Sequence, residues 1–244
     1  MPPEPAHHAD RPERLLVITA HPDDADFAIA GSVARWVRGG TVAHLVCCTS
    51  GDAGADDART DPLELAATRE AEQRSAAQVV GYEGLTFLHR PDGALANDLA
   101  LREQLVRVIR TFRPDAVACG DPTVVVHRAG YVQHVDHREA ALAAVDAVYP
   151  AARNAMAFPH LVTAEGLEPH SVRRLYLFWS AEPTHIVDVS ATLEVKLATL
   201  RKHASQMRRP GELEERIRDW AREAGADVGV EAAEAFAVLD LGEG

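Results

Sequence analysis

Short apolar runs and amphipathic stretches alternate along most of the chain. Leu15–Ala20 is wholly apolar apart from Thr19, and Thr41–Cys48, Leu85–Leu88 and Ala116–Cys119 repeat the pattern. Runs of this kind, bounded by turn signals, predict strands buried on both faces. Between them lie helical patterns. Phe27, Ala28, Val33, Ala34 and Val37 form one stripe, stopped by Gly39-Gly40; Pro62–Val80 forms another, closed by Gly81. Leu101, Leu105, Val108 and Ile109 mark one side of a helix over Leu99–Phe112, and His137–Val148 reads as a further helix. The alternation predicts βαβ units: an α/β chain with a parallel sheet covered by helices on both faces.

Beyond Tyr149-Pro150 the pattern loosens. Ala151–His170 reads as a long loop over one end of the sheet, followed by strands Arg174–Trp179 and His185–Val189 and helices Leu193–His203 and Glu212–Arg222. Residues 1–12 carry no period and predict a flexible N-terminal tail, which leaves 13–244 as a single domain.

Composition narrows the function classes. The chain has 244 residues, of which 47% are hydrophobic and 25% charged, ordinary values for a globular protein with a sizeable core. The formal net charge of −12 argues against non-specific binding to nucleic acid or anionic membrane. The apolar runs are far too short to span a bilayer, and no basic-headed apolar segment opens the chain. Cys47, Cys48 and Cys119 lie in or beside apolar runs and read as reduced core residues, so a cytoplasmic location is expected.

Two segments carry chemistry. Ala20-His21-Pro22-Asp23-Asp24-Ala25-Asp26 sits where the first strand passes into the first helix, the sheet edge at which open α/β folds bind ligands. Taken alone, its carboxylates also suit helix capping. His134-Val135-Asp136-His137 follows the fourth strand, with its two histidines three residues apart on one helical face. Together, His21, Asp24 and His137 make a two-His, one-carboxylate set, which suits catalytic Zn²⁺ with an open coordination position; Fe(II) suits the same donors. A dication in that set would lower the pKa of water to about 7. Asp23 would then take the water's proton, His134 would steady an oxyanion, and Asp136 would hold the His134 imidazole. Those parts describe hydrolysis of an amide or ester.

These motifs resemble the PIG-L/LmbE-like zinc-dependent de-N-acetylases. Ala20–Asp26 is similar to that family's Ala-His-Pro-Asp-Asp signature with an acidic residue beyond it, and His134–His137 to its His-Pro-Asp-His. Thr49–Gly54, Arg69–Glu72, Arg113–Asp115, and Pro183–Ser190 with Lys196 and His203–Gln206 also match, so the likeness runs over about residues 14–206. It implies a Rossmann-like three-layer fold, mostly parallel in its sheet. It also implies removal of an N-acetyl group from an N-acetylglucosamine-type amino sugar or its conjugate. By the same resemblance His21, Asp24 and His137 bind zinc, Asp23 is the general base, His134 with Asp136 steadies the oxyanion, and Arg69 contacts substrate. Asp92, in a Pro-Asp-Gly turn, is placed near the sugar. Asp26 stands where many members have Glu, and Val135 where they have Pro. Tyr131 receives no role, and His203 reads as a surface residue.

The expected partner is a small amino-sugar substrate, with neither nucleic acid nor a membrane span; whether copies associate is left open. A nucleotide-binding α/β module is the competing reading, but acidic His-Pro-Asp-Asp stands where a phosphate-binding turn would need glycines. A non-catalytic ligand-binding relative is the other alternative, and it predicts loss of a ligand or of the base.

Overall fold

The computed structural model describes residues 6–7, 11–127, 130–226 and 228–242, so most of the expected tail, with His8, and also Arg128, lie outside the described residues. One sheet organises the chain. Its strands are β1 (Ala6–His7), β2 (Arg14–Thr19), β3 (Val42–Thr49), β4 (Gly84–Arg90) and β5 (Ala116–Gly120), then β8 (Arg174–Phe178), β9 (His185–Asp188) and β10 (Ala233–Asp240). A separate short hairpin pairs β6 (Val126–His127) with β7 (Tyr131–Val132). The spatial order is β1-β9-β10-β8-β5-β2-β3-β4. All neighbours run parallel except β10, which lies antiparallel between β8 and β9.

The helices are α1 (Asp24–Ala28), α2 (Ala30–Arg38), α3 (Pro62–Val80), α4 (Leu99–Phe112), α5 (Val135–Asp146), α6 (Pro159–Thr163), α7 (Leu193–Leu200) and α8 (Pro210–Ala226). Alternate residues of β2 feed two separate cores. Leu15 and Val17 pack with Ile29, Val33 and Trp36 on one face, while Leu16 and Ile18 pack with Leu105, Ile109 and Ala144 on the other. That two-sided burial is why the strand is apolar without interruption. Chain order runs β2, β3, β4 toward one edge and then returns to β5 on the other side of β2. The loops after β2 and β5 therefore diverge at the reversal point, where open α/β sheets leave a ligand crevice.

Three local expectations change. The stripe from Phe27 to Val37 is two helices, broken at Ile29. The break is held from a distance. Lys196 Nζ donates to Ala28 O at 3.1 Å, and Glu234 accepts from Gly31 N at 3.1 Å and Ser32 N at 2.7 Å. Lys196 and Glu234 are themselves 2.6 Å apart and buried. Backbone groups orphaned by the break thus find charged partners. The Ala151–His170 segment contains α6, whose Leu161 is buried. Finally, β10 goes unpredicted; its many alanines give little strand preference, and its partners are distant in sequence. No helix among the described residues is long and apolar enough to cross a membrane.

Breaking a buried ion pair by removing one partner costs about 3–5 kcal/mol. Lys196→Met should therefore lower the unfolding free energy by about that much in a urea titration, because Glu234 keeps its charge between α2 and β10. A loss below about 1 kcal/mol, the size of a surface pair, would show that the break at Ile29 does not depend on it.

Candidate metal and catalytic site

His21 leaves the end of β2 with both ring nitrogens engaged. Its Nδ1 lies 3.6 Å from Asp24 Oδ2 and 3.2 Å from His137 Nε2, and His137 Nε2 lies 3.0 Å from Asp24 Oδ1. Three donor groups therefore point at one spot. Asp24 Oδ2 also accepts from Ala20 N at 3.1 Å and His21 N at 2.8 Å, so the turn itself fixes this carboxylate. On its far side, His21 Nε2 lies 2.9 Å from Asp92 Oδ1 and 3.3 Å from Asp136 Oδ2. A proton on Nε2 serves those carboxylates and leaves the Nδ1 lone pair facing Asp24 and His137. Carboxylates on the outer nitrogen are the usual way of orienting a metal-binding histidine.

The charge balance fits a cation. Burial by itself would lower the His21 pKa, but hydrogen bonds to Asp136, Asp24 and Asp92 outweigh it and push it up to about 12. Burial opposes ionisation of Asp24 too, yet His137 and His21 hold its carboxyl well below the usual range. Three carboxylates set against the two imidazoles of His21 and His137 make a pocket with surplus negative charge, and a divalent ion on the Nδ1 side would relieve it. Donor atoms also cluster in two other sets, His21 with His134 and His137, and His21 with Asp92 and Asp136. In the first, His134 Nδ1 accepts from Asp136 N at 3.2 Å and is not free to ligate. In the second, Asp136 already accepts from Gly93 N at 2.6 Å and Leu95 N at 3.2 Å, and Asp92 from Ala53 N at 2.9 Å.

Asp23 occupies the left-handed region, with φ 94°. Such a conformation in a non-glycine residue costs of order 1–3 kcal/mol and needs support. Gln73 supplies it from α3: its Oε1 accepts from Asp23 N at 2.7 Å, and its Nε2 donates to Asp26 Oδ2 at 2.9 Å. His203 closes the network at 2.8 Å from the same oxygen. Gln73, Asp26 and His203 are all fully buried. Arg69, also from α3, donates to Pro22 O at 2.8 Å, to Gly51 O at 3.0 Å and to Asp23 Oδ2 at 3.3 Å. A Cβ on Gly51 or Gly54 would stand 2.3 Å from its Nη1, so glycine is needed where that guanidinium lies on the loop. Burial and the neighbouring charge of Asp24 push the Asp23 pKa up to about 7, against the pull of Arg69, His203 and His21.

The cluster opens into a cleft of about 690 Å³. His21, Asp23, Asp24, His134 and His137 form its polar end, and Phe27, Tyr131, Trp179 and Trp220 contribute an aromatic wall. The Trp179 ring lies 5.1 Å from that of His137.

All eight residues singled out in the sequence come together, and four of them also make contacts that the sequence did not predict. The Asp136 carboxylate turns to His21 and to the N–H groups of Gly93 and Leu95; its link to His134 is through its backbone N–H. His134 is thereby fixed as an acceptor at Nδ1, which leaves the proton of the neutral ring on Nε2; burial, with His21 and His137 nearby, lowers its pKa. Asp92, expected at the sugar, is taken up by His21 and Ala53; despite burial, the His21 contact holds its pKa down at about 2. Arg69, expected at the substrate, is buried and donates through Nη1 and Nη2 to the loops that frame Asp23, with its Nε left unpaired. His203 is likewise buried rather than on the surface. Gln73, Trp179 and Trp220 were not found from the sequence. Gln73 had a usable signal, lying one turn beyond Arg69 on the same helix.

The family model described as PIG-L, GlcNAc-PI de-N-acetylase, matches residues 16–148. A diacetylchitobiose deacetylase from Thermococcus kodakarensis is 30% identical over 194 residues, covering 80% of this chain and 70% of the relative. A 1D-myo-inositol 2-acetamido-2-deoxy-alpha-D-glucopyranoside deacetylase from a Mycobacterium species is 27% identical over 231 residues, covering 80% and 74%. Among solved structures, the N,N′-diacetylchitobiose deacetylase of Pyrococcus horikoshii, in complex with an inhibitor, superposes with a TM-score of 0.86 at 28% identity, covering 94% of this chain and 84% of that one. A 4-carboxy-2-hydroxymuconate hydratase from Pseudomonas putida shares the fold at TM-score 0.76 and 20% identity, so the fold alone does not name the reaction. The family model covers more than half of the chain and includes both motif segments that build the site; the chain belongs to the PIG-L, GlcNAc-PI de-N-acetylase, family.

Proposed function

We propose that this chain is a metal-dependent hydrolase that removes the N-acetyl group from an N-acetylglucosamine-type amino sugar or its conjugate, with zinc as the ion. The observation that carries the reading is the convergence of His21 Nδ1, Asp24 Oδ1 and His137 Nε2 with the Asp23 carboxylate beside them. The names of the relatives support the substrate class. An ion held by these three residues would supply Lewis acidity to the acetamido carbonyl and to the attacking water.

The protein's own groups do the rest. Asp23, ionised, takes a proton from the water as its oxygen bonds to the carbonyl carbon. His134 Nε2–H donates to the carbonyl oxygen as negative charge gathers there. Asp23 then returns the proton to the nitrogen, the C–N bond breaks, and acetate and the free amine leave. Asp92 and Asp136 keep His21 oriented through Nε2, Arg69 and Gln73 keep Asp23 in its turn, and Trp179, beside the His137 ring, shields the reacting end from water. A nucleotide-binding role is disfavoured, because the carboxylates of Asp23 and Asp24 line the place a phosphate would take.

Adjacent substitutions separate the roles. Asp23→Asn should keep its metal while kcat falls roughly 10²–10⁴-fold, the range for loss of a general base. Asp24→Asn should lose metal affinity, read by equilibrium dialysis. Equal, mild effects with metal retained in both would return these residues to helix capping, since Asn caps about as well as Asp.

Gln73→Met keeps the volume of the side chain and removes both hydrogen bonds. Metal content and KM should hold while kcat drops roughly tenfold or more, because a misplaced catalytic group is costly. An unchanged kcat would show that Asp23 holds its conformation without Gln73.

The sign of the pH dependence follows from Asp23. Its base form is lost as pH falls through its pKa, about 7 without an ion and lower beside one. kcat/KM should therefore decline on acidification along a limb whose midpoint is no higher than about 7, and a rate that rises as pH falls would contradict the assignment.

A further inference from the structure

The cleft is larger than the reacting group requires, and its outer wall is built by a helix that contributes nothing to the metal cluster. Its volume of about 690 Å³ lies in the range that encloses a whole drug-sized ligand. α8 is anchored by Ile217 and Ala221, which are 2% and 4% exposed. Trp220, between them in sequence and on the adjoining face, is 50% exposed and turned to the cleft. Trp36, by contrast, is buried in the core. Arg216 stands one turn before Trp220, with its guanidinium 5.0 Å from the centre of the indole ring. The neighbouring α8 arginines 218 and 222 are paired with Glu194 and Asp219, whereas Arg216 lines the cleft and braces the ring. Phe27, Trp179 and Trp220 also line an adjoining cavity of about 250 Å³, so the aromatic wall continues past the metal cluster.

We propose that Trp220, braced by Arg216, is a binding platform for a second pyranose ring joined to the acetamido sugar. The inference rests on the deacetylase reading and adds the part of the substrate that α8 recognises. Indole offers a large, rigid, amphipathic surface at low conformational cost, and the C–H face of a pyranose is the apolar surface that complements it. The guanidinium beside the ring presents several N–H donors in a fixed plane to ring hydroxyls. The platform is continuous with the cluster through Phe27 and Trp179, so one disaccharide reaches both. A lone acetamido sugar seated at the cluster would leave α8 without a ligand.

The test uses the metal-replete chain with N,N′-diacetylchitobiose and N-acetylglucosamine, amine release being followed for wild type, Trp220→Ala and Trp220→Phe. Trp220→Ala should raise KM for the disaccharide roughly tenfold or more, the usual effect of truncating an aromatic anchor at a binding surface. kcat for the disaccharide and KM for the monosaccharide should stay unchanged, and Trp220→Phe should restore most of the loss. Equal changes for both sugars, or no change for either, would overturn the platform. Calorimetric titration of the disaccharide into Asp23→Asn, with and without Trp220→Ala, reads binding apart from turnover. Trp220-dependent binding with no amine released by wild type would leave the platform standing and sink the deacetylase reading. Amine release with binding indifferent to Trp220 would do the reverse, and no binding in either background would overturn the platform.

Discussion

The site is organised around the two nitrogens of one imidazole. His21 gives Nε2 to Asp92 and Asp136, and by doing so commits Nδ1 to Asp24 and His137. Only the contact with Asp24 is local. Asp92 comes from the turn after β4, while Asp136 and His137 come from α5 beyond β5. The crossing of the chain from β4 back to β5 over β2 is what brings these loops to one point. Surplus carboxylate in a buried place is expensive unless cations or hydrogen bonds answer it. Backbone N–H groups of Ala20, His21, Ala53, Gly93 and Leu95 answer part of it here, and what remains unanswered faces the spot between Asp24 and His137.

Behind the cluster lies a second layer of side chains that hold the backbone of its loops. Arg69 and Gln73 project from one face of α3 onto the turn at Asp23, and His203 reaches the same network through Asp26. Lys196 and Glu234 pin the junction of α1 and α2, so that the short helix carrying Asp24 and Asp26 is fixed at its end as well as its start. An adjustment of about 1 Å in a catalytic group is enough to cost two orders of magnitude in rate. The density of buried polar contacts around so short a helix is consistent with that demand.

Features set by neighbouring residues were legible in the sequence. Asp61 caps α3 with Pro62 in its first turn, and Gly81 ends it at φ 95°, so its boundaries could be read directly. The unbroken apolar run of β2 announced a central strand, and the motifs at its edge and at the start of α5 announced the cluster of His21, Asp24 and His137. Features set by distant partners were not legible. The break at Ile29 depends on hydrogen bonds that span 168 and 203 positions of the chain. The destination of the Asp136 carboxylate depends on N–H groups of a turn after β4, and the burial of His203 on Asp26, 177 positions away. Arg69 was picked out as a residue, but that its guanidinium lies on the carbonyls of Pro22 and Gly51 is a fact of tertiary packing.

Anomalous diffraction from a zinc-loaded crystal would locate the ion. One peak is expected at about 2.0–2.2 Å, the usual zinc–ligand distance, from His21 Nδ1, a carboxylate oxygen of Asp24 and His137 Nε2, with His21 Nε2 still turned to Asp92 and Asp136. A peak on the Nε2 side of His21, held by Asp92 and Asp136 in place of Asp24 and His137, would contradict it.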